Sequence, residues 1–402
     1  MEKQKKIMLL GGIHYLLPVI KAAHEQGYYV ITADYLPDNV AHKYSDEYVN
    51  VSIVDKEAVL KVAQEKQIDG IISFGVDPGV VAAAYVQEKM GLPSMGPYES
   101  VVILQNKDKF RAFLQEHGFN CPRSKGYGTI DEALADTDWL TWPMIVKPTD
   151  SAGSKGVTRV DRIEDYKAAV EKAFAKSNKG NIIVEQFVEL EGYQSGSDSF
   201  SVDGKMVFTT FDDQHFDKSA ANPYTPSAHT WPSTMPSDAQ AYLTSEIQRL
   251  VTLLGMKTTM YNIEARVGKD GKPYIMELSP RAGGNCLAEL LVHATGVDMI
   301  TAQVRAAVGD DFQIEAKPYK GYWADIVLHT PQAGIFEYVK IDESRNANVA
   351  ELKLWKQKGD EVGSFKAAND SVGVLFVHFD TREEMEDAIA HQKEWLEVKV
   401  KS

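Results

Sequence analysis

A chain of 402 residues with 44% hydrophobic side chains is long enough for two or three domains and too apolar for global disorder. Its 43 basic residues against 57 acidic ones leave a net charge of −14, which disfavours general adsorption to nucleic acid or anionic lipid but leaves a local anion site open. Two cysteines, Cys121 and Cys286, cannot build a disulfide framework, no four-ligand zinc spacing occurs, and the apolar runs fall short of the roughly 18 residues of a membrane span. These features predict a soluble cytoplasmic protein with no nucleic-acid or membrane partner.

In chain order, the short apolar runs at 7–10, 29–33 and 70–74 alternate with helix-like segments, one over 14–26 stopped by Gly27 and one over 56–67. Continuous apolar strands alternating with helices predict βαβ units and a parallel sheet. Gly11-Gly12 after the first run superficially suggests a dinucleotide fold, but the full G-x-G-x-x-G spacing is absent, which argues against nicotinamide binding. Residues 98–117 predict a helix ended by Gly118.

Short strands then follow at 143–148, 157–160, 181–188 and 198–202, with Asp203-Gly204 marking a tight hairpin before 205–210. Residues 212–236, punctuated by four prolines and holding His215 and His229, read as a long functional loop. From about 311, strands are expected at 322–329 and 371–379, and a last helix opened by the Thr381–Glu384 capping box is expected to run to about 397.

The strongest local constellation is a pair of carboxylates. Segments 261–267 and 274–279 are β-like, and the link between them contains Asp270-Gly271, a two-residue turn signal. Such a turn sets Glu264 opposite Glu277 and Asn262 opposite Ser279, with Asn262, Glu264 and Arg266 on one polar face. Facing carboxylates repel, and a hard divalent cation would offset this; pairing with Arg266 or Arg281 is the alternative. Just beyond lies Ser279-Pro280-Arg281-Ala282-Gly283-Gly284-Asn285, an always-charged fork beside flexible backbone suited to a phosphoryl group or a carboxylate.

Upstream, Lys147 ends an apolar run and is followed by the small-residue loop 149–156, a candidate flap over a nucleotide; no P-loop spacing exists. Glu185 interrupts the apolar run 182–188, a place where a carboxylate is uncommon unless paired or bonded.

Read in order, Asn106-Lys107, Val146-Lys147-Pro148, 151–157, Val184-Glu185-Gln186-Phe187-Val188, Asn262-Ile263-Glu264 and Met276-Glu277-Leu278-Ser279-Pro280-Arg281 resemble the ATP-grasp superfamily. The likeness is to the carboxylate–amine ligase and carbamoyl-phosphate-synthase-like branch, and it covers about residues 1–310. It implies an α/β and α+β multidomain protein: a Rossmann-like pre-ATP-grasp domain over 1–97, an ATP-grasp domain over 98–310 (lid about 120–205, catalytic core about 206–310), and a small C-terminal α+β segment over 311–402.

By the same resemblance, Lys107 and Lys147 hold the phosphates of ATP, Gly153, Ser154 and Gly156 lie in the closing loop, and Glu185 and the Val188 backbone read adenine. Gln194 stands where the family has a ribose-contacting glutamate. Glu264 and Glu277 ligate one or two Mg2+ ions (or Mn2+), and Ser279 replaces the usual asparagine ligand. Arg281, with Lys147, is the catalytic cation. Gly12, His14, His215, His229, Arg281, Gly283, Gly284 and Asn285 are candidate substrate contacts.

The implied activity is an ADP-forming carbon–nitrogen ligase that activates a small carboxylate as an acyl phosphate for attack by an amine. The alternative is bicarbonate chemistry through carboxyphosphate. A nucleotide-binding regulatory module is a third reading, which the intact charged set argues against. The C-terminal segment is expected to shape the pocket or a homodimer interface.

Overall fold

Alternating burial on the two faces of one strand explains the first apolar run. In the computed structural model, which describes residues 3–149, 156–177 and 179–401, β1 (Lys6–Leu10) sends Met8 and Leu10 into one hydrophobic cluster and Ile7 and Leu9 into another. A strand covered on both faces reads as a continuous apolar run. With β2 (Tyr29–Asp34), β3 (Glu47–Asn50) and β4 (Gly70–Ser73) it forms a parallel sheet in the order β3-β2-β1-β4. The helices α1 (Leu17–Glu25) and α2 (Lys56–Lys66) make crossovers, and α3 (Asp77–Met90) follows the last strand.

The expected single helix over 98–117 is two, α4 (Tyr98–Leu104) and α5 (Lys107–Glu116). The break at Gln105-Asn106 puts Lys107 in the first turn of α5 rather than mid-helix. Next comes an antiparallel sheet of β5 (Ser124–Tyr127), β6 (Met144–Pro148), β7 (Thr158–Val160) and β8 (Ile182–Gln186), ordered β5-β8-β6-β7.

A third sheet is built on β9 (Leu190–Val202), longer than the sequence pattern suggests, and β10 (Lys205–Phe208). Lys205 pairs with Val202, so Asp203-Gly204 is a two-residue turn, with φ of +48° and +78° as a type I′ turn requires. The expected loop at 212–236 is instead largely a hairpin of β11 (Asp213–Phe216) and β12 (Pro226–Trp231). Its outer partner is a C-terminal strand, which local pattern could not announce.

The third sheet is completed by β13 (Thr259–Gly268) and β14 (Pro273–Ser279), in the order β10-β9-β13-β14. C-terminal β15 (Tyr322–Leu328), β16 (Gly334–Ile341), β17 (Val349–Leu354), β18 (Glu361–Val362), β19 (Gly373–Phe379) and β20 (Leu396–Lys401) divide between two sheets, β11-β12-β15-β19-β17 and β18-β16-β20. The last long helix stops at Ala390, and after one short turn the chain ends in β20 rather than continuing helical to 397. No described helix is long and apolar enough to cross a membrane.

Candidate active site

The β13–β14 register places the two glutamates face to face: Glu264 pairs with Glu277 and Asn262 with Ser279. The route there differs from the expected one. Val267 pairs with Pro273 and the Gly268 amide donates to the Lys272 carbonyl at 2.9 Å, so the turn is a three-residue loop with Gly271 at φ +76°, not a two-residue turn. Alone this would put Met276 opposite Glu264. A register shift between Glu264 and Ala265 restores the pairing. A one-residue slip flips every side chain to the other face, so this bulge puts both carboxylates on the same side.

Burial and the facing Glu277 charge push the Glu264 carboxyl above its ordinary value. The Arg266 charge offsets this only in part, and neither nearby arginine forms an ion pair with Glu264 among the described contacts. Arg266 donates to the Gln194 side-chain oxygen and to the Val188 carbonyl, and Arg281 grips Asp77 at 2.7 and 2.6 Å. Lys107 Nζ lies 3.9 Å from Glu277. Two unbridged hard-oxygen donors on one face are the donor set that Mg2+ takes alongside phosphate oxygens.

Lys147 and Glu185 point at one another from neighbouring β6 and β8 and form an ion pair. The second oxygen of Glu185 accepts from Arg111 Nε at 2.9 Å. Burial opposes ionisation here, but the two cations outweigh it and hold Glu185 down at about 2. Glu185 therefore fixes Lys147 in place, and an adenine amino group would have to share its remaining lone pairs. Sequence reasoning missed Arg111, although it stands four residues after Lys107 and so shares its helix face.

Ser279, buried, donates to Asp77 at 3.0 Å and accepts from Gln105 Nε2 at 2.7 Å. Its hydroxyl thus joins the Asp77–Arg281 clamp, with one lone pair left for a cation. Burial alone would raise the Asp77 carboxyl, but Arg281 and Ser279 hold it below its ordinary value. Asp77, the first residue of α3, gave no sequence signal.

Beyond Arg281 the backbone tightens. The Gly283 amide donates to Asp198 Oδ1 at 2.7 Å, and a Cβ there would sit 2.6–2.9 Å from Leu287, Asn262 and Asp198. Asn285 and Cys286 follow with φ of +55° and +62°, and Tyr15 donates to Asn285 at 3.1 Å. Gly284 abuts the Tyr15 ring. His14 stacks on Trp355 beside Tyr15, and burial pushes it down to about 4, so it is neutral.

His215 Nε2 contacts Thr230 at 3.0 Å and is likewise lowered to about 4 by burial. His229 is buried with Nδ1 2.6 Å from Asp212. Gly12 is packed against Asn39 and His42, which occupy the space a Cβ would need. Gly156 has φ +77°, and Gly153 and Ser154 lie outside the described residues.

Residues 140–289 match the family model described as the ATP-grasp domain. The carbamoyl phosphate synthase large chain of Clostridium beijerinckii is 24% identical over 295 residues, covering 70% of this chain and 27% of that one. The chain therefore spans about a quarter of the length of that relative. Among solved structures, an L-amino acid ligase from Bacillus licheniformis superposes with a TM-score of 0.82 at 21% identity, covering 100% of both chains. A phosphoribosylglycinamide synthetase from Anaerococcus prevotii gives 0.79 at 21% identity, over 99% of this chain and 100% of the other. The chain shares the fold of these two enzymes.

Proposed function

We propose that the chain is an ATP- and Mg2+-dependent, ADP-forming carbon–nitrogen ligase that joins a small carboxylate to an amine. The observation that carries this reading is the facing pair Glu264–Glu277 with Lys107, Lys147 and Arg281 gathered around it, no guanidinium having closed the gap between the glutamates. The lengthwise likeness to two ligases and the ATP-grasp domain match support it.

Glu264 and Glu277 would hold the ion, which supplies charge neutralisation between the phosphates of ATP. Lys147, held by Glu185, and Lys107, at the start of α5, present positive charge to those phosphates. Arg281, fixed by Asp77, stands where negative charge accumulates as a substrate carboxylate oxygen attacks the γ-phosphoryl group. The amine then displaces phosphate from the acyl phosphate. Little covalent chemistry falls to the protein, so positioning and preorganised charge do most of the work.

Calorimetric titration with ATP, with and without Mg2+, tests the site directly. The wild type should bind more tightly with Mg2+, and Glu277→Gln should lose that gain together with ADP release; an unchanged Mg2+ effect in this variant would remove the metal assignment. The likeness to the carbamoyl phosphate synthase chain supports bicarbonate as a competing substrate. ADP formation by dialysed protein that depends on bicarbonate, rather than on an amine and a carboxylate, would select that reading.

A further inference from the structure

A strand at the edge of a sheet offers a row of unpaired backbone groups, and an edge left apolar invites another strand. The edges of the C-terminal sheets differ in this respect. β20, outermost in the sheet β18-β16-β20, presents Glu397, Lys399 and Lys401 to solvent, a charged pattern that keeps an edge single. β17 is outermost in the sheet β11-β12-β15-β19-β17, and there Leu352 and Leu354 are 40% and 45% exposed. The lysine of β17 does not guard this edge, because Lys353 Nζ is drawn onto Glu289 Oε1 at 2.6 Å.

The backbone of β17 fixes which groups face outward. The Trp355 amide donates to the Val372 carbonyl at 3.1 Å, and a Cβ on Gly373 of β19 would meet the Lys353 carbonyl at 2.1 Å. Glu351, Lys353 and Trp355 therefore direct their backbone groups towards β19. Leu352 and Leu354, offset by one, turn theirs outward, with side chains on the opposite face from Glu351 and Lys353. A register shift between Val349 and Glu351 ends the regular edge on its other side.

A second β17 can add antiparallel only where outward groups meet outward groups, so the two-fold axis must pass through a residue. An axis at Glu351 or at Lys353 sets like charges opposite one another. An axis at Leu354 sets Lys353 opposite Trp355 and Glu351 opposite Gln357. Only an axis at Leu352 sets Glu351 opposite Lys353, on both sides, with Leu352 facing its own copy. Contacts within the chain already hold these charged side chains: His293 Nε2 lies 3.1 Å from Glu351, and Lys353 Nζ lies 3.5 Å from it.

We propose that β17 pairs with β17 of a second copy of this chain about a two-fold axis at Leu352, joining two five-stranded sheets into one. The order Glu351-Leu352-Lys353 is complementary to itself when reversed, which selects a second copy over an unrelated strand and closes the assembly at two. None of the residues assigned to nucleotide or metal lies on β17, so the pairing is independent of the ligase reading.

Sedimentation velocity of the full chain tests this. The wild type should sediment as a dimer at micromolar concentration. Leu352→Lys and Leu352→Glu each set like charges across the axis, and each should raise the dimer dissociation constant about tenfold or more. Mixed in equal amounts, the two variants should recover the dimer, because opposite charges then meet at the axis. The position is exposed, and an unchanged circular dichroism spectrum shows that each variant is folded. A monomeric wild type, a Leu352→Lys protein as dimeric as wild type, or a mixture that stays monomeric overturns the proposal.

Discussion

Glu185→Gln isolates the group that holds Lys147. In the native protein Glu185 bridges Lys147 and Arg111 with both partners largely buried, so an amide leaves two cations facing each other without an anion. Two routes give the cost. Holding the carboxyl at about 2, against 4.5 for the free group, is worth about 3 kcal/mol at about 1.4 kcal/mol per unit. Breaking a buried pair by removing one partner typically costs about 3–5 kcal/mol. The two agree on roughly 3 kcal/mol, or a drop of several degrees in melting temperature.

The sign with pH follows from the direction of the shift. The folded-state value is depressed, so the contribution is complete above 4.5 and is lost as pH falls towards 2. Urea unfolding at neutral pH should therefore separate wild type from variant, and the separation should shrink at low pH. The KM for ATP should rise as Lys147 loses its anchor. Replacing all three groups together (Arg111→Met, Lys147→Met, Glu185→Leu) should recover stability but not ATP binding, because an apolar trio carries no stranded charge. A Glu185→Gln protein within about 1 kcal/mol of wild type at neutral pH would refute the reasoning.

Glu264→Gln should stabilise the metal-free protein by up to about 1 kcal/mol, since it removes a carboxylate that burial and Glu277 both disfavour, while weakening Mg2+-dependent ATP binding; urea curves with and without Mg2+ read both effects. Asp77→Asn should cost about 2 kcal/mol by urea unfolding and lower kcat through a loosened Arg281, with KM for ATP little changed. Gly283→Ala should cost about 1–3 kcal/mol by urea unfolding, because its Cβ meets Leu287, Asn262 and Asp198. Asp325 carries a raised value, so its contribution is complete below 3.8 and lost as pH climbs through about 8; wild-type stability should fall over that window more steeply than that of Asp325→Asn.

Much of the fold was legible where local chemistry alone decides it. The run Ile7–Leu10 is continuous because both faces of its strand are covered, and Asp203-Gly204 turns tightly because the two residues accept positive φ. The Asp270-Gly271 signal gave the right glutamate pair for an incomplete reason: a longer loop and a bulge in β13 offset each other, and one sequence cannot show two compensating shifts. Residues 212–236 looked like a loop because the strand that completes their sheet, β15, lies about ninety residues further on. Asp325 could have been found, since it interrupts an apolar run just as Glu185 does. Asp77 could not, because its meaning comes from Arg281, distant in sequence and adjacent only after folding.

The ion pairs sort the charges of the site into two kinds. Lys147 and Arg281 are already balanced, by Glu185 and Asp77, and the balance fixes where they stand. A cation held in this way can stabilise a developing anion without first being reoriented, which is the preorganisation that phosphoryl transfer requires. Glu264 and Glu277 face one another without such a clamp, and burial with the Glu277 charge disfavours ionised Glu264. Retaining them lowers stability unless something positive binds. The pair opens beside Lys107, where a divalent ion can also meet phosphate.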